Sequence, residues 1–274
     1  MKRVVNVFGG IILAALIGLS VTACDTGGPT GGGTGGGTGI EMVRVGPGVF
    51  YLGQEEGTAG FGNTTPISSV TMSGFYMGRF PVTQGQFYEV MGFNPSWFTT
   101  ALGRPPTSWS TDLDTWGPAP TSWNDPLRAR WDAVRIVPGS TGYRLPTEAQ
   151  WEFAAKGGPL GGPYTFSGSN NINAVARHWG NSGIRTQEVG GLQANRLGIH
   201  DMSGNVYDWV WDRYGPYTAE PETDPSGASW GSFCVIRGGS WNYSPHGFRS
   251  VDRIYGNNPF YRNTAVGFRV ARPL

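Results

Sequence analysis

Two segments of this chain carry the same instruction for starting a helix. In Thr83-Gln84-Gly85-Gln86, and again in Thr147-Glu148-Ala149-Gln150, a threonine is followed three residues later by a glutamine. This is a capping box: the hydroxyl accepts the amide three residues on, and the glutamine side chain returns to the threonine amide. The spacing predicts Phe87, Val90 and Met91 on one face of the first helix, with Gly92 as its stop. It predicts Trp151, Ala154 and Ala155 as the buried stripe of the second, closed by Gly157. Elsewhere 45 Gly and 20 Pro punctuate 274 residues, which suits short strands and long loops and excludes a helical bundle. Eleven Trp, eleven Tyr and fourteen Phe are ample for a core. "IEMVRVGPGVFYLG" predicts a hairpin turning at Gly46-Pro47-Gly48, and residues 69–83 continue as extended chain. "CVIRGGSW" and "VGFRVAR" predict two strands near the end. The fold class is α+β: two short helices, a small antiparallel sheet and many loops.

The first 39 residues read as an address and a tether. Lys2 and Arg3 precede an apolar run that ends in small residues before Cys24. "VTAC" resembles a bacterial lipobox, which implies a signal peptide over 1–23 and lipidation at Cys24. An anchor helix and an unlipidated signal peptide are the competing readings. Acyl chains on Cys24, each contributing about 0.8 kcal/mol per buried CH₂, would hold the chain at a membrane. Thr26–Gly39 is Gly-rich coil with a root-mean-square reach of about 20 Å. Low complexity stops at Ile40, so 40–274 is expected to be one domain.

Function classes fall away quickly. The domain from residue 40 onward carries equal numbers of acidic and basic side chains, so it has no footprint for a phosphate backbone. Three histidines without paired spacing give no zinc site, and no GxxxxGK[ST] or G-x-S-x-G segment is present. Beyond Cys24 the one thiol is Cys234, expected as a small buried side chain in "SFCVIRGG".

"RLPTEAQWEFAAKGG", "GIHDMSGNVYDWVWDRY" and "VIRGGSW…VGFRVAR" together resemble the formylglycine-generating-enzyme-type (sulfatase-modifying factor) version of the C-type lectin fold, over residues 40–274. The resemblance implies an oxygen-dependent copper enzyme only where a cysteine pair follows the "GGS" strand. Here Tyr243 and Phe248 stand at those places, and neither ring replaces a thiolate on Cu(I). The oxidase is therefore disfavoured and no catalytic residue is assigned.

The tail, roughly 238–270, is similar to another branch of that fold: the variable proteins of diversity-generating retroelements, the Treponema type among them. In that branch, mutagenesis of adenines in AAC and AAT codons never yields Lys, Glu, Gln, Met or Trp. None of the five occurs between Tyr243 and Ala265, although the chain holds eleven Trp. The resemblance implies ligand contacts at Tyr243, Ser244, His246, Gly247, Phe248, Asp252, Ile254, Tyr255, Gly256, Phe260, Tyr261, Thr264 and Ala265. Stiff rings among small polar residues are the chemistry of an antibody paratope; packing in the core is the competing reading. Arg249, Arg253, Arg262 and Arg269 lie between these positions, and some are expected to tie loop carbonyls and carboxylates to the sheet.

The same resemblance implies a structural calcium ion in "DMSGNVYDW", held by Asp201 and Asp208 with the carbonyls of Gly204 and Val206. The alternative is a turn whose carboxylates accept backbone amides. At "ARHWGN", Arg177 replaces an oxygen ligand, so no second ion is expected. Taken together, the sequence leads to a surface-displayed lipoprotein of the cell envelope, without a required cofactor, binding a protein or glycan ligand. An invariant structural lipoprotein is the remaining alternative.

Overall fold

The computed structural model describes residues 39–54, 64–91, 139–255 and 263–274. The expected signal peptide, Cys24 and the tether as far as Thr38 lie outside the described residues, as does Gly92.

Both capping boxes form. Helix α1 (Gln84–Met91) begins after Thr83, whose amide donates to Gln86 Oε1 at 2.9 Å while its Oγ1 accepts the Gln86 amide at 3.2 Å. Helix α2 (Glu148–Ala155) repeats this with Thr147 and Gln150, and Gly157 leaves it at φ 97°. Every residue of α2 is buried, so its polar side chains also point into protein rather than solvent. A one-turn helix α3 spans Ile172–Val175.

The described residues contain twelve short strands. Strands β1 (Met42–Val45), β4 (Phe75–Gly78) and β12 (Ala271–Pro273) form a sheet in the order β1-β4-β12. Strands β2 (Gly48–Leu52), β3 (Ser68–Met72) and β8 (Glu222–Thr223) form another in the order β2-β3-β8. A two-stranded ladder joins β5 (Ala176–Arg177) to β6 (Ser203–Gly204). The sheet that matters most for the tail contains β7 (Tyr207–Arg213), β9 (Cys234–Arg237), β10 (Arg253–Tyr255) and β11 (Val266–Phe268), ordered β10-β9-β7-β11. Most pairings are antiparallel; β7–β11, β3–β8 and β5–β6 run parallel.

Two local expectations are corrected. The predicted hairpin does not close on itself: β1 pairs with β4 and β2 with β3. Pro47 has no amide for a ladder, and Gly48 admits the Phe153 ring so close that a Cβ there would lie 3.0 Å from Cζ. The chain therefore passes from one sheet to the next at this turn. The tail is also not wholly loop, since β10 lies inside it and "VGFRVAR" splits into β11 and β12.

The core gathers where α2 meets these sheets. Trp151, Phe153, Ala154 and Ala155 pack with Val45, Val70, Met72, Phe75, Met77, Val210 and Val235. At about 1.5–3 kcal/mol for each large buried apolar side chain, this cluster is the main favourable term holding the sheets together.

Candidate ligand-binding face

Strand alternation divides the tail sheet into two faces. Arg237, Arg253 and Asp208 share one register row and turn toward α2. Arg253 Nε and Nη2 reach Glu148 Oε1 and Oε2 at 2.9 and 2.8 Å, its Nη1 donates to the Gly215 carbonyl, and its guanidinium lies between the Tyr214 and Tyr217 rings. Arg237 pairs with Glu152 and donates to the carbonyls of Ser250, Val251 and Asp252. Its guanidinium lies over Trp151 with 5.0 Å to the ring centroid. Two glutamates of one helix thus grip two arginines, and one of those arginines holds three consecutive carbonyls of the tail.

The expected role of the tail arginines is seen at Arg253 and Arg269, while Arg249 pairs within the loop itself. Arg249 pairs with Asp252 at 2.6 Å, Arg253 with Glu148, and Arg269 Nε with Asp208 Oδ2 at 2.7 Å. Arg269 also donates to the carbonyls of Gly78, His200 and Asp201. Arg262 lies outside the described residues.

On that held backbone the thirteen expected contacts sort into groups. Tyr243 (52% exposed), Ser244, His246 and Tyr255 (56% exposed) face solvent. Tyr243 meets the buried Tyr207 edge-to-face at 5.6 Å between ring centroids, and Tyr255 packs on Phe233 and Tyr214. Gly247, Ile254 and Thr264 are half-buried; Ile254 rests on the Tyr207–Ile236–Val266 cluster, and the Thr264 carbonyl accepts Trp241 Nε1. Gly256, Phe260 and Tyr261 lie outside the described residues.

Three positions are corrected, because their side chains are buried and cannot contribute to a contact surface. Phe248 (0% exposed) lies on Gly239, where a Cβ would overlap its ring, and it meets His178 edge-to-face. Asp252 accepts the Arg249 amide and guanidinium. Ala265 lies beneath the backbone, its carbonyl accepting the Tyr207 amide at 2.9 Å.

The calcium expectation does not fit the side chains found here. Asp208 Oδ2 accepts Trp151 Nε1 at 2.9 Å as well as Arg269, so a fixed guanidinium supplies the positive charge an ion would bring. Asp201 accepts the Gly190 amide at 2.7 Å, so one of its oxygens is already engaged by the backbone. Gly204 and Val206 have no side-chain oxygen to offer, and the Gly204 amide donates to the Gly238 carbonyl. Asp208 Oδ1 has no hydrogen-bond partner, yet one oxygen does not make the six to eight that calcium requires. Among the described residues no three His, Cys, Asp or Glu side chains converge as a metal site.

Cys234 is half-buried, and burial pushes its thiol up to about 11, so it is protonated and unreactive at neutral pH. Sequence reasoning missed Glu148, Glu152 and Arg237. Their signal was two glutamates four apart on the helix carrying Trp151, with arginines in the strands that follow.

The sulfatase-modifying factor enzyme 1-like domain matches residues 35–274. The chain is 33% identical over 270 residues to the chaperone protein LppX of Paenibacillus barcinonensis, covering 84% of this chain and 86% of that one. It is 31% identical to the serine/threonine-protein kinase pkn1 of Chlamydia pneumoniae, spanning 85% of this chain but 38% of that protein. It is 33% identical to the formylglycine-generating enzyme of Streptomyces coelicolor, over 55% of this chain and 50% of that one. Among solved structures, the variable protein 1 of Treponema denticola superposes with a TM-score of 0.73 at 26% identity, covering 85% of this chain and 95% of that one.

Proposed function

The chain belongs to the sulfatase-modifying factor enzyme 1-like domain family, and we propose that within it the chain is a ligand-binding protein rather than an oxidase. The exposed side chains of the tail form the binding face, and retroelement mutagenesis diversifies them. The observation that carries this reading is that Tyr243, Ser244, His246 and Tyr255 stand in solvent on backbone fixed by buried arginines. A rigid scaffold with interchangeable, low-entropy side chains can change its specificity without refolding.

The likeness to the Treponema variable protein supports the reading, and so does the absence of the thiol pair an oxidase needs. Cys24 is the lipid attachment point in this proposal, the Gly-rich tether lifts the domain from the membrane, and the chain is displayed on the cell envelope. The ligand is a macromolecule other than nucleic acid.

The test is a double replacement, Tyr243→Ala with Tyr255→Ala, in a chain whose ligand has been selected from protein and glycan libraries. The expected result is loss of binding with an unchanged melting transition. Retained binding, or copper-dependent turnover of a cysteine peptide by the purified protein, overturns the reading.

A further inference from the structure

We propose that the binding face has a constant half, the loop 178–187, which takes an apolar side chain of a protein partner; this rests on the reading of the tail given above. The loop is fastened directly to the start of the variable segment. The Trp179 amide donates to the Tyr243 carbonyl at 3.1 Å, and Ser182 Oγ donates to the Trp241 carbonyl at 2.9 Å. Its far end is fixed by a reciprocal pair: the Gln187 amide donates to Asn205 Oδ1, and Asn205 Nδ2 donates to the Gln187 carbonyl.

The loop inverts the usual pattern of a surface turn, in which polar side chains face water. Asn181 turns back, its Nδ2 donating to the Ala176 carbonyl and its Oδ1 accepting the His178 amide. Gln187 donates to the Ser182 carbonyl, and Ser182 and Thr186 are buried. What stands outward instead is Trp179 (61% exposed) and Ile184 (66% exposed), with Gly180 and Gly183 between them and Arg185 after.

Ile184 holds φ at 60°, next to Gly183 at 65°. Two left-handed residues in succession suit Gly or Asn at the second place, and a β-branched residue there is a conformational outlier. Such strain costs on the order of 1–3 kcal/mol, and an exposed side chain recovers little of it inside the molecule. The gain therefore lies in a contact outside the chain.

The partner class follows from what the platform offers. A glycan needs directed polar side chains around a stacking ring, and those of this loop are turned inward; a phosphate needs a basic cluster, and Arg185 alone is not one. An indole and a sec-butyl group separated by glycines match an apolar side chain on a protein surface. Trp179 and Ile184 precede the variable segment, so this contact persists while Tyr243, Ser244 and His246 change beside it.

The test pans a random-peptide display library on the full-length chain and compares Trp179→Ala, Ile184→Asn, Ile184→Gly and Tyr243→Ala, with a glycan array as a parallel arm. Selected peptides are expected to share a large apolar residue and to bind the Trp179 and Ile184 variants about tenfold more weakly or worse. Ile184→Asn and Ile184→Gly are expected to melt no lower than wild type, which a structural role for Ile184 would not allow. Unchanged binding in the loop variants, melting that falls with binding, selected peptides without apolar residues, or a library that yields no binder overturns the proposal. Trp179-dependent glycan binding overturns the partner class. If Tyr243→Ala alone abolishes binding, the variable face stands and the constant half falls; if only the loop variants do, the reverse holds.

Discussion

Glu148, at the start of α2, and Arg253, within the tail, form a two-point ion pair across 105 residues of sequence, with both side chains almost fully buried. The Tyr217 hydroxyl donates to the same carboxylate at 3.0 Å. Because Ile254 and Tyr255 follow directly, this pair sets where the outward residues of β10 stand. Removing Arg253 leaves Glu148 with only the Tyr217 hydroxyl and the more distant Arg237 Nε at 3.7 Å, and the loss exceeds the net value of the pair itself. Arg253→Met is expected to cost about 3–5 kcal/mol in urea unfolding. Glu148→Gln, which keeps shape and one acceptor, should cost less.

Phe248 and Tyr243 are five residues apart in one short segment, yet they belong to different classes of position. Phe248→Ala empties a packed site and is expected to destabilise by about 3–5 kcal/mol. Gly239→Ala drives a methyl into the same ring at a backbone φ of 82°, and should be damaging for both reasons. Tyr243→Ala removes an exposed ring and should change stability by no more than about 0.5 kcal/mol. Thermal melts of the three variants separate scaffold from face; a destabilising Tyr243→Ala would place that ring in the core.

Arg269 acts as the resident cation of the Asp201–Asp208 loop. Calcium or a chelator is therefore expected to leave the melting temperature unchanged, since an ion that bound the native state would raise it. Arg269→Ala should cost several kcal/mol, because Asp208 would be left buried beside Trp151 with no countercharge. A calcium-dependent rise in melting temperature in wild type would contradict the assignment.

Much of this architecture was legible in the sequence, and the reasons differ by residue. The capping boxes at Thr83 and Thr147 were readable because both partners lie within four residues, so no tertiary information is needed. The Gly46-Pro47-Gly48 turn misled because turn chemistry records that the chain reverses, not which strand it next meets. Tyr243, Phe248 and Tyr255 were all expected on the contact face from the family resemblance, yet Phe248, an aromatic ring like the other two, is buried. What separates them is Gly239, nine residues earlier in the chain, and only packing reveals that. Arg253 was recognised as a tie, but its acceptor Glu148 lies 105 residues away, and Arg237 with its partner Glu152 was missed, because neither pair leaves a local pattern.

Asp212 gives the arginine network a pH dependence whose sign can be worked out. Its Oδ2 accepts the Glu148 amide at 2.7 Å, and burial first, then the neighbouring Glu148 charge, push its carboxyl up from 3.8 to about 8. Arg253 and Arg237 oppose that shift without cancelling it. A carboxyl raised in the folded state binds a proton there that the unfolded chain has already released. Its contribution to stability is therefore fully present below the unfolded value of 3.8 and is lost as pH rises through about 8. Asp212→Asn keeps an acceptor for the Glu148 amide and cannot ionise. Between about pH 5 and about pH 9, wild type is expected to lose stability relative to this variant, read as diverging urea midpoints. Parallel midpoints across that range would mean that Asp212 is ionised throughout, with Arg253 and Arg237 carrying its charge.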